Sequence, residues 1–296
     1  MAREIIVRKT TRINNLPDES IATVISFTTP RDACRVATLS TAFSVVADSN
    51  IVWNRFLPSD YREIILRASN VDHHALLLDN VPKKDLFMYL ADNPLLIDHG
   101  LMTVSLEKST GKKCCTLSAR KLRISWADST TYWQWWLAED FLPRSRFAEV
   151  ARLLYVCWFE IKGEIKTSML SPNTKYGAYL VFHVSSSAWN FYDYPVDAVI
   201  ETSGGQVVTG RVYLDPRRGG IVDEGYELVP LAGAEDPEEG VNLPKLRVDE
   251  WIEVEIGEFF TGDKDELVTF SLMEILTGAL KGGLVIEGIE IRPVIE

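Results

Sequence analysis

Residues 117–137 read LSARKLRISWADSTTYWQWWL and hold Trp126, Trp133, Trp135 and Trp136, half of the chain's eight tryptophans. Leu122, Ile124 and Trp126 alternate with Arg123 and Ser125, the period of a half-buried strand. Ala127-Asp128-Ser129-Thr130 is turn chemistry, because Asp and Ser side chains bond nearby backbone amides. The stretch therefore predicts the first strand of a β-domain, then a turn and an aromatic platform. Two uses of that platform compete. Aromatic side chains bury large areas and belong in cores. Equally, sugars present flat C–H faces that stack on indoles carried by loops at strand ends. Trp133 and Trp135 share a parity in an extended segment and Trp136 opposes them, so the three cannot all face one core.

The two-residue period persists downstream. Phe159, Ile161 and Ile165 alternate with Glu160, Lys162, Glu164 and Lys166, a strand with one wet face. Ala178, Leu180, Phe182 and Val184 oppose Tyr179, Val181 and His183, a strand buried on both faces. Ile200 and Val207-Val208, split by Ser203-Gly204-Gly205, predict a hairpin. Ile252, Val254 and Ile256, then Val268, Phe270 and Leu272, then Ile289 and Ile291, each alternate with polar residues. Short strands with turn signals and no helix–strand repeat indicate an antiparallel, jelly-roll-like β-sandwich. Residues 147–154 read as a short helix or an irregular lead into a strand. Residues 232–250, AGAEDPEEGVNLPKLRVDE, read as an acidic solvated loop.

Upstream the period is helical. Leu16-Pro17-Asp18-Glu19 opens a helix, with Pro and acids where the first turn favours them. Thr29-Pro30-Arg31-Asp32 opens a second, with Thr29 as cap. Ser40 or Thr41 begins a third element, and Ile51, Val52, Trp53, Phe56 and Leu57 close the unit. Its apolar residues exceed what so small an interior can bury, which marks a partner interface. Between the two parts, residues 83–91 fit a short amphipathic helix, and Leu95-Leu96-Ile97 is too apolar for a solvated linker. This region should pack on its neighbours and limit their relative motion. The chain thus divides into a helical unit at residues 10–58, a partly helical connector at 59–111 and a β-sandwich at 112–296, an α+β multidomain protein.

With 31 basic and 42 acidic residues the net charge is −11. That argues against a nucleic-acid or anionic membrane partner. The first seventeen residues, MAREIIVRKTTRINNLP, lack the apolar run of a secretory signal or a membrane span. Cys34, Cys114, Cys115 and Cys157 form no C-x-x-C pair, and the expectation is a reducing compartment, cytosol or nucleus. His73 and His74 have no ligand-spaced partner, so no metal and no cofactor is expected. Ser109-Thr110-Gly111-Lys112-Lys113 falls short of a P-loop: Leu106 stands where the first Gly belongs and Lys113 where Ser or Thr would hold magnesium. Glu253, Glu255, Glu287 and Glu290 could in principle supply a glycosidase pair, but alternating strand acids read as a solvated face. The chain is not read as an enzyme.

Two resemblances refine these expectations. Leu16-Pro17-Asp18-Glu19, Cys34-Arg35-Val36-Ala37 and Val52-Trp53 resemble an F-box, the helical unit that docks on the Skp-type adaptor of cullin-containing ubiquitin ligases. The resemblance implies adaptor contacts at Leu16, Pro17, Ile21, Val24 and Trp53. Val156-Cys157-Trp158, Tyr179-Leu180-Val181-Phe182, Leu272-Met273-Glu274-Ile275 and the run from Gly282 to Pro293 resemble the phloem lectin (tobacco-lectin-like) family. That family binds chitin-type oligosaccharides or the core of N-glycans. It implies a carbohydrate site with tryptophans at Trp126 and Trp133 and a carboxylate at Glu274. A second family acid aligns near Glu266 or Leu267, a departure from the family pattern. The family's basic nuclear-targeting run has no counterpart. The whole is similar to plant F-box proteins of the phloem-lectin type. The expected role is substrate recognition in a ubiquitin ligase, with a glycan or glycoprotein target. The alternatives are an adaptor reading a protein surface without sugar, and a lectin whose F-box has lost its partner.

Overall fold

The computed structural model describes residues 16–72, 76, 81–140, 144–219 and 240–295. His73, His74, most of the N-terminal seventeen-residue stretch and residues 232–239 of the acidic loop lie outside the described residues.

Helices α1 (Asp18–Ile25), α2 (Pro30–Ala37), α3 (Thr41–Ala47) and α4 (Asn50–Phe56) form the N-terminal unit. Their starts follow local chemistry. The Thr29 hydroxyl accepts the Asp32 amide at 3.1 Å, and Ser40 accepts the Phe43 amide at 3.2 Å. The unit closes around Trp53. Its indole N–H donates to the Ala47 carbonyl at 2.8 Å, and its ring meets Phe56 edge-on at 5.5 Å. Phe87, 5.1 Å from Trp53, comes from the connector. Helices α5 (Tyr61–Arg67) and α6 (Lys83–Asp92) therefore complete the helical core rather than merely tether it.

Among the described residues the strands that follow are β1 (Leu95–Ile97), β2 (Met102–Leu106), β3 (Lys113–Ser118), β4 (Arg123–Ile124), β5 (Trp133–Leu137), β6 (Glu149–Leu153), β7 (Phe159–Lys166), β8 (Thr174–Trp189), β9 (Val196–Thr202), β10 (Val207–Val212), β11 (Val241–Asn242), β12 (Lys245–Leu246), β13 (Ile252–Thr261), β14 (Leu267–Glu274) and β15 (Gly282–Pro293). One sheet runs β1-β2-β3-β15-β8-β13-β12, with β6 branching from β15 and β5 from β6; the other runs β11-β10-β9-β14-β7-β4. Among the described residues every pairing is antiparallel except the two-residue contact of β10 with β11. The sheets face each other across a core of residues such as Phe159, Leu180, Phe259 and Phe270. The antiparallel sandwich and the predicted β9–β10 hairpin are present.

Three local expectations change. Residues 117–137 do not hold the first strand. The hairpin β1–β2 and strand β3 precede it, because Leu95, Ile97, Met102, Val104 and Leu106 bury themselves on the sheet edge. Residues 149–153 are no helix but strand β6, paired with β5 and β15. Ile124 ends β4, and Trp126 does not continue its face, since the backbone turns left-handed there with φ 67°.

The helical and β parts share one continuous buried core. Lys113, nearly buried, donates from Nζ to Asp60 Oδ2 and to the Ser168 carbonyl, each at 3.0 Å. A Cβ on Gly111 would lie 2.8 Å from the Phe56 carbonyl oxygen, so the absence of a side chain permits the close approach of β-hairpin loop to helix α4.

Candidate functional site

The site is built at the end of the sandwich where β4 leaves its sheet. Trp126 stands 56% exposed on the turn that follows. A left-handed φ of 67° is a costly conformation for a bulky L-residue, about 1–2 kcal/mol. The surroundings impose it. The Trp133 indole N–H donates to the Ser125 carbonyl at 3.1 Å, and the Trp135 indole N–H donates to the Ala127 carbonyl at 3.3 Å. Two buried or half-buried indoles thus grip the carbonyls of the residues on either side of Trp126. The Ser129 amide closes the turn onto the Trp126 carbonyl at 2.9 Å. Strain held by so many partners points to a use for the displayed ring.

Other aromatics gather there. Tyr132 lies 5.9 Å from Trp126, and Tyr155 meets Tyr132 edge-on at 5.8 Å. Trp158, one residue before β7, is 45% exposed. Its indole N–H donates to Glu160 Oε2 at 3.3 Å, and the Ser125 hydroxyl donates to the same oxygen at 2.6 Å. Lys162 pairs with Glu160 Oε1 at 2.6 Å. The hydrogen bonds from Lys162 and Ser125 hold the Glu160 carboxyl below the usual carboxylate range, against the effect of burial. Sequence reasoning passed over Trp158 and Glu160 as site residues. Their shared parity, with Phe159 between them facing the core, was the available signal.

The remaining carbohydrate candidates divide. Trp133 is 1% exposed and cannot stack on a ligand; it supports the turn from beneath. Glu274 is buried and paired with Lys281, whose side chain is 0% exposed, and both Glu274 oxygens also serve Thr277. Burial alone would raise the Glu274 carboxyl, but the Lys281 and Thr277 hydrogen bonds bring it below its usual range. Lys281 in turn exchanges backbone hydrogen bonds with Val156, beside Tyr155. Glu274 therefore braces the loop 275–281 against the aromatic end. Glu266 sits just before the far end of β14, eight positions from Glu274, about 25 Å along an extended strand. It is not brought to the tryptophans.

On the helical unit, Leu16, Pro17 and Val24 are exposed, whereas Ile21 and Trp53 are interior and shape the surface only from within. Phe27, Leu39, Val45 and Ile51 are exposed apolar side chains that the motif comparison did not single out. The surplus of apolar residues was their signal.

Residues 112–293 match the family model described as phloem protein 2. Curated relatives carry the second half of the reading. F-box protein PP2-B1 of Arabidopsis thaliana is 37% identical and the alignment covers 98% of this chain and 92% of the relative. F-box protein PP2-B15 of the same plant is 39% identical over 94% of this chain and 96% of its own length. The chain belongs to the phloem protein 2 family. It is the F-box branch of that family that it resembles along nearly its whole length. Solved structures similar to the phloem protein 2 sandwich include TmCBM61 in complex with β-1,4-galactotriose, 10% identical with TM-score 0.27, covering 58% of this chain and 87% of that one. The CBM22-1 xylan-binding domain of Paenibacillus barcinonensis Xyn10C is 9% identical with TM-score 0.29, covering 60% and 89%.

Among the described residues no three His, Cys, Asp or Glu side chains are grouped to hold a metal. Burial pushes the Cys115 thiol up to about 12 and raises that of Cys114, which keeps both from acting as thiolates. Glu253 and Glu290 are bound by Arg247 and Arg292 rather than open to substrate. Among the described residues no helix is long and apolar enough to cross a membrane.

Proposed function

We propose that this protein is a non-enzymatic substrate-recognition subunit of a cullin-containing ubiquitin ligase. Its helical unit docks on a Skp-type adaptor through exposed apolar side chains including Leu16 and Val24. Its phloem protein 2 domain binds a glycan, of chitin-type or N-glycan-core chemistry, on the target. The observation that carries the glycan half is Trp126: an exposed indole in a strained backbone conformation, gripped on both sides by Trp133 and Trp135. The mechanism is proximity. Ubiquitin chemistry belongs to other subunits, and this chain supplies effective concentration. Helices α5 and α6 of the connector pack into the shared core and hold the two binding surfaces at a fixed spacing. Cytosol or nucleus is the matching location. Calorimetric titration of the full chain with chitooligosaccharides and an N-glycan core, wild type against Trp126→Ala, tests the glycan half. Saturable binding lost in the variant supports it, and no binding by wild type at millimolar sugar overturns it. Pull-down of a Skp-type adaptor by the full chain tests the other half; no capture at micromolar protein overturns it.

A second reading, recognition of a protein surface without sugar, draws on the exposed Leu276 and Leu280 in the loop braced by Glu274. Targets that still bind after glycosidase treatment would favour it.

A further inference from the structure

We infer that Trp158 is a second sugar-stacking residue beside Trp126, and that Glu160 is the positioning residue that sets the two rings as one cleft. The inference rests on the glycan reading of this end of the sandwich. Glu160 is the point where the two tryptophan-bearing segments meet. Its Oε2 accepts from Ser125, the neighbour of Trp126, at 2.6 Å and from the Trp158 indole at 3.3 Å. Lys162 holds the other oxygen from the same strand face. An exposed indole is free to rotate unless something fixes it; here a charge-assisted hydrogen bond fixes the 45% exposed Trp158 by its indole donor. Preorganised aromatic faces bind without the cost of ordering side chains. The acid that the family pattern assigns to the sugar, Glu274, is already bound to Lys281 and Thr277, and using it would break the brace of its own loop.

The test is calorimetric titration with chitobiose and chitotetraose on the full chain. Wild type, Trp158→Ala, Trp158→Phe, Glu160→Ala and the double variant Trp158→Ala/Glu160→Ala are compared, each with its circular dichroism spectrum and Tm. Because Trp158 serves an additional sugar unit, Trp158→Ala should weaken chitotetraose about tenfold with its fold intact, and weaken chitobiose less. Trp158→Phe, which keeps a stacking face, should recover part of the loss. Glu160→Ala should weaken chitotetraose in the wild-type background and weaken it less in the Trp158→Ala background, where only its hold on Ser125 beside Trp126 remains to be lost. A purely structural role would give additive losses. Undiminished chitotetraose binding by folded Trp158→Ala overturns the proposal and leaves the glycan reading standing. Additive losses overturn the positioning role of Glu160. No binding of either sugar by wild type overturns the glycan reading, and the proposal with it.

Discussion

Trp126 and Trp133 look alike in the sequence, seven residues apart in one aromatic stretch, yet they have opposite roles. Trp133 fills the sandwich core, so Trp133→Ala should cost about 3–5 kcal/mol. Trp126 is displayed on a left-handed turn, so Trp126→Gly relieves about 1–2 kcal/mol of backbone strain while adding about 0.5–1 kcal/mol of unfolded-state entropy. Urea denaturation should therefore show a large loss for Trp133→Ala and no loss, or a small gain, for Trp126→Gly. Loss of sugar binding by the second variant can then be read as loss of the ring alone. The sequence period assigned Trp126 to the face of Ile124. It could not reveal that the indole donors of Trp133 and Trp135 reach back to the flanking carbonyls, because that geometry depends on where β5 pairs. Ile21 and Trp53 carry the same lesson. The F-box pattern marks them, yet both are interior, in the helical core onto which Phe87 of the connector packs at Trp53.

Elements were legible where their periodicity was strong and local. The helix starts at Pro17 and Thr29, the one-face-wet strand β7 and the β9–β10 hairpin all follow from patterns a few residues long. Strand β6 was not legible, because its alternation is brief and its two edges meet β5 and β15 only through long-range pairing. The alternation of Ile289 and Ile291 predicts a strand but not its irregularity. β15 shifts register against β8 between Ile286 and Gly288, and a Cβ at position 288 would stand 1.9 Å from the Leu117 carbonyl oxygen. No rotamer relieves a clash between a Cβ and a backbone atom of the neighbouring strand. Gly288→Ala should thus destabilise the chain by about 3 kcal/mol or more, measured by thermal unfolding of soluble protein. Gly111→Ala meets the Phe56 carbonyl at 2.8 Å in a left-handed backbone. It should loosen the seam between helices and sheet, detected as faster limited proteolysis of the connector with the sandwich left resistant.

At the scale of the whole molecule, one charge network on the outer face of the larger sheet contributes to acid stability. Glu290 bonds Arg146 at 2.7 Å and Arg292 at 2.9 Å, and pairs with Arg247 at 3.1 Å. Burial would raise its carboxyl, but the charges of Arg146 and Arg247 outweigh that and bring it down to about 2, against an ordinary 4.5. A depressed folded value stabilises the fold above the unfolded value and loses that contribution as pH falls toward the folded one. The difference amounts to about 3 kcal/mol, lost between about pH 4.5 and 2. Glu287, three residues earlier, has the opposite sign. Burial raises its carboxyl despite the Arg146 amide and charge, so its contribution is present at low pH and lost as pH rises through the raised value. Glu290→Gln should then destabilise at pH 7 and converge on wild type as pH drops below 4.5. Glu287→Gln should match or exceed wild type at pH 7 and lose that advantage at pH 4. Urea titrations at pH 7, 5 and 3.5 check both. Helical and β parts share one core, with Lys113 bonded to Asp60 across the seam. Acid unfolding should therefore take the helices with the sheets: ellipticity at about 222 nm and tryptophan emission trace one coincident transition. Two separated midpoints in wild type would mean that the seam does not couple the parts, and that the spacing between adaptor face and glycan end is not fixed.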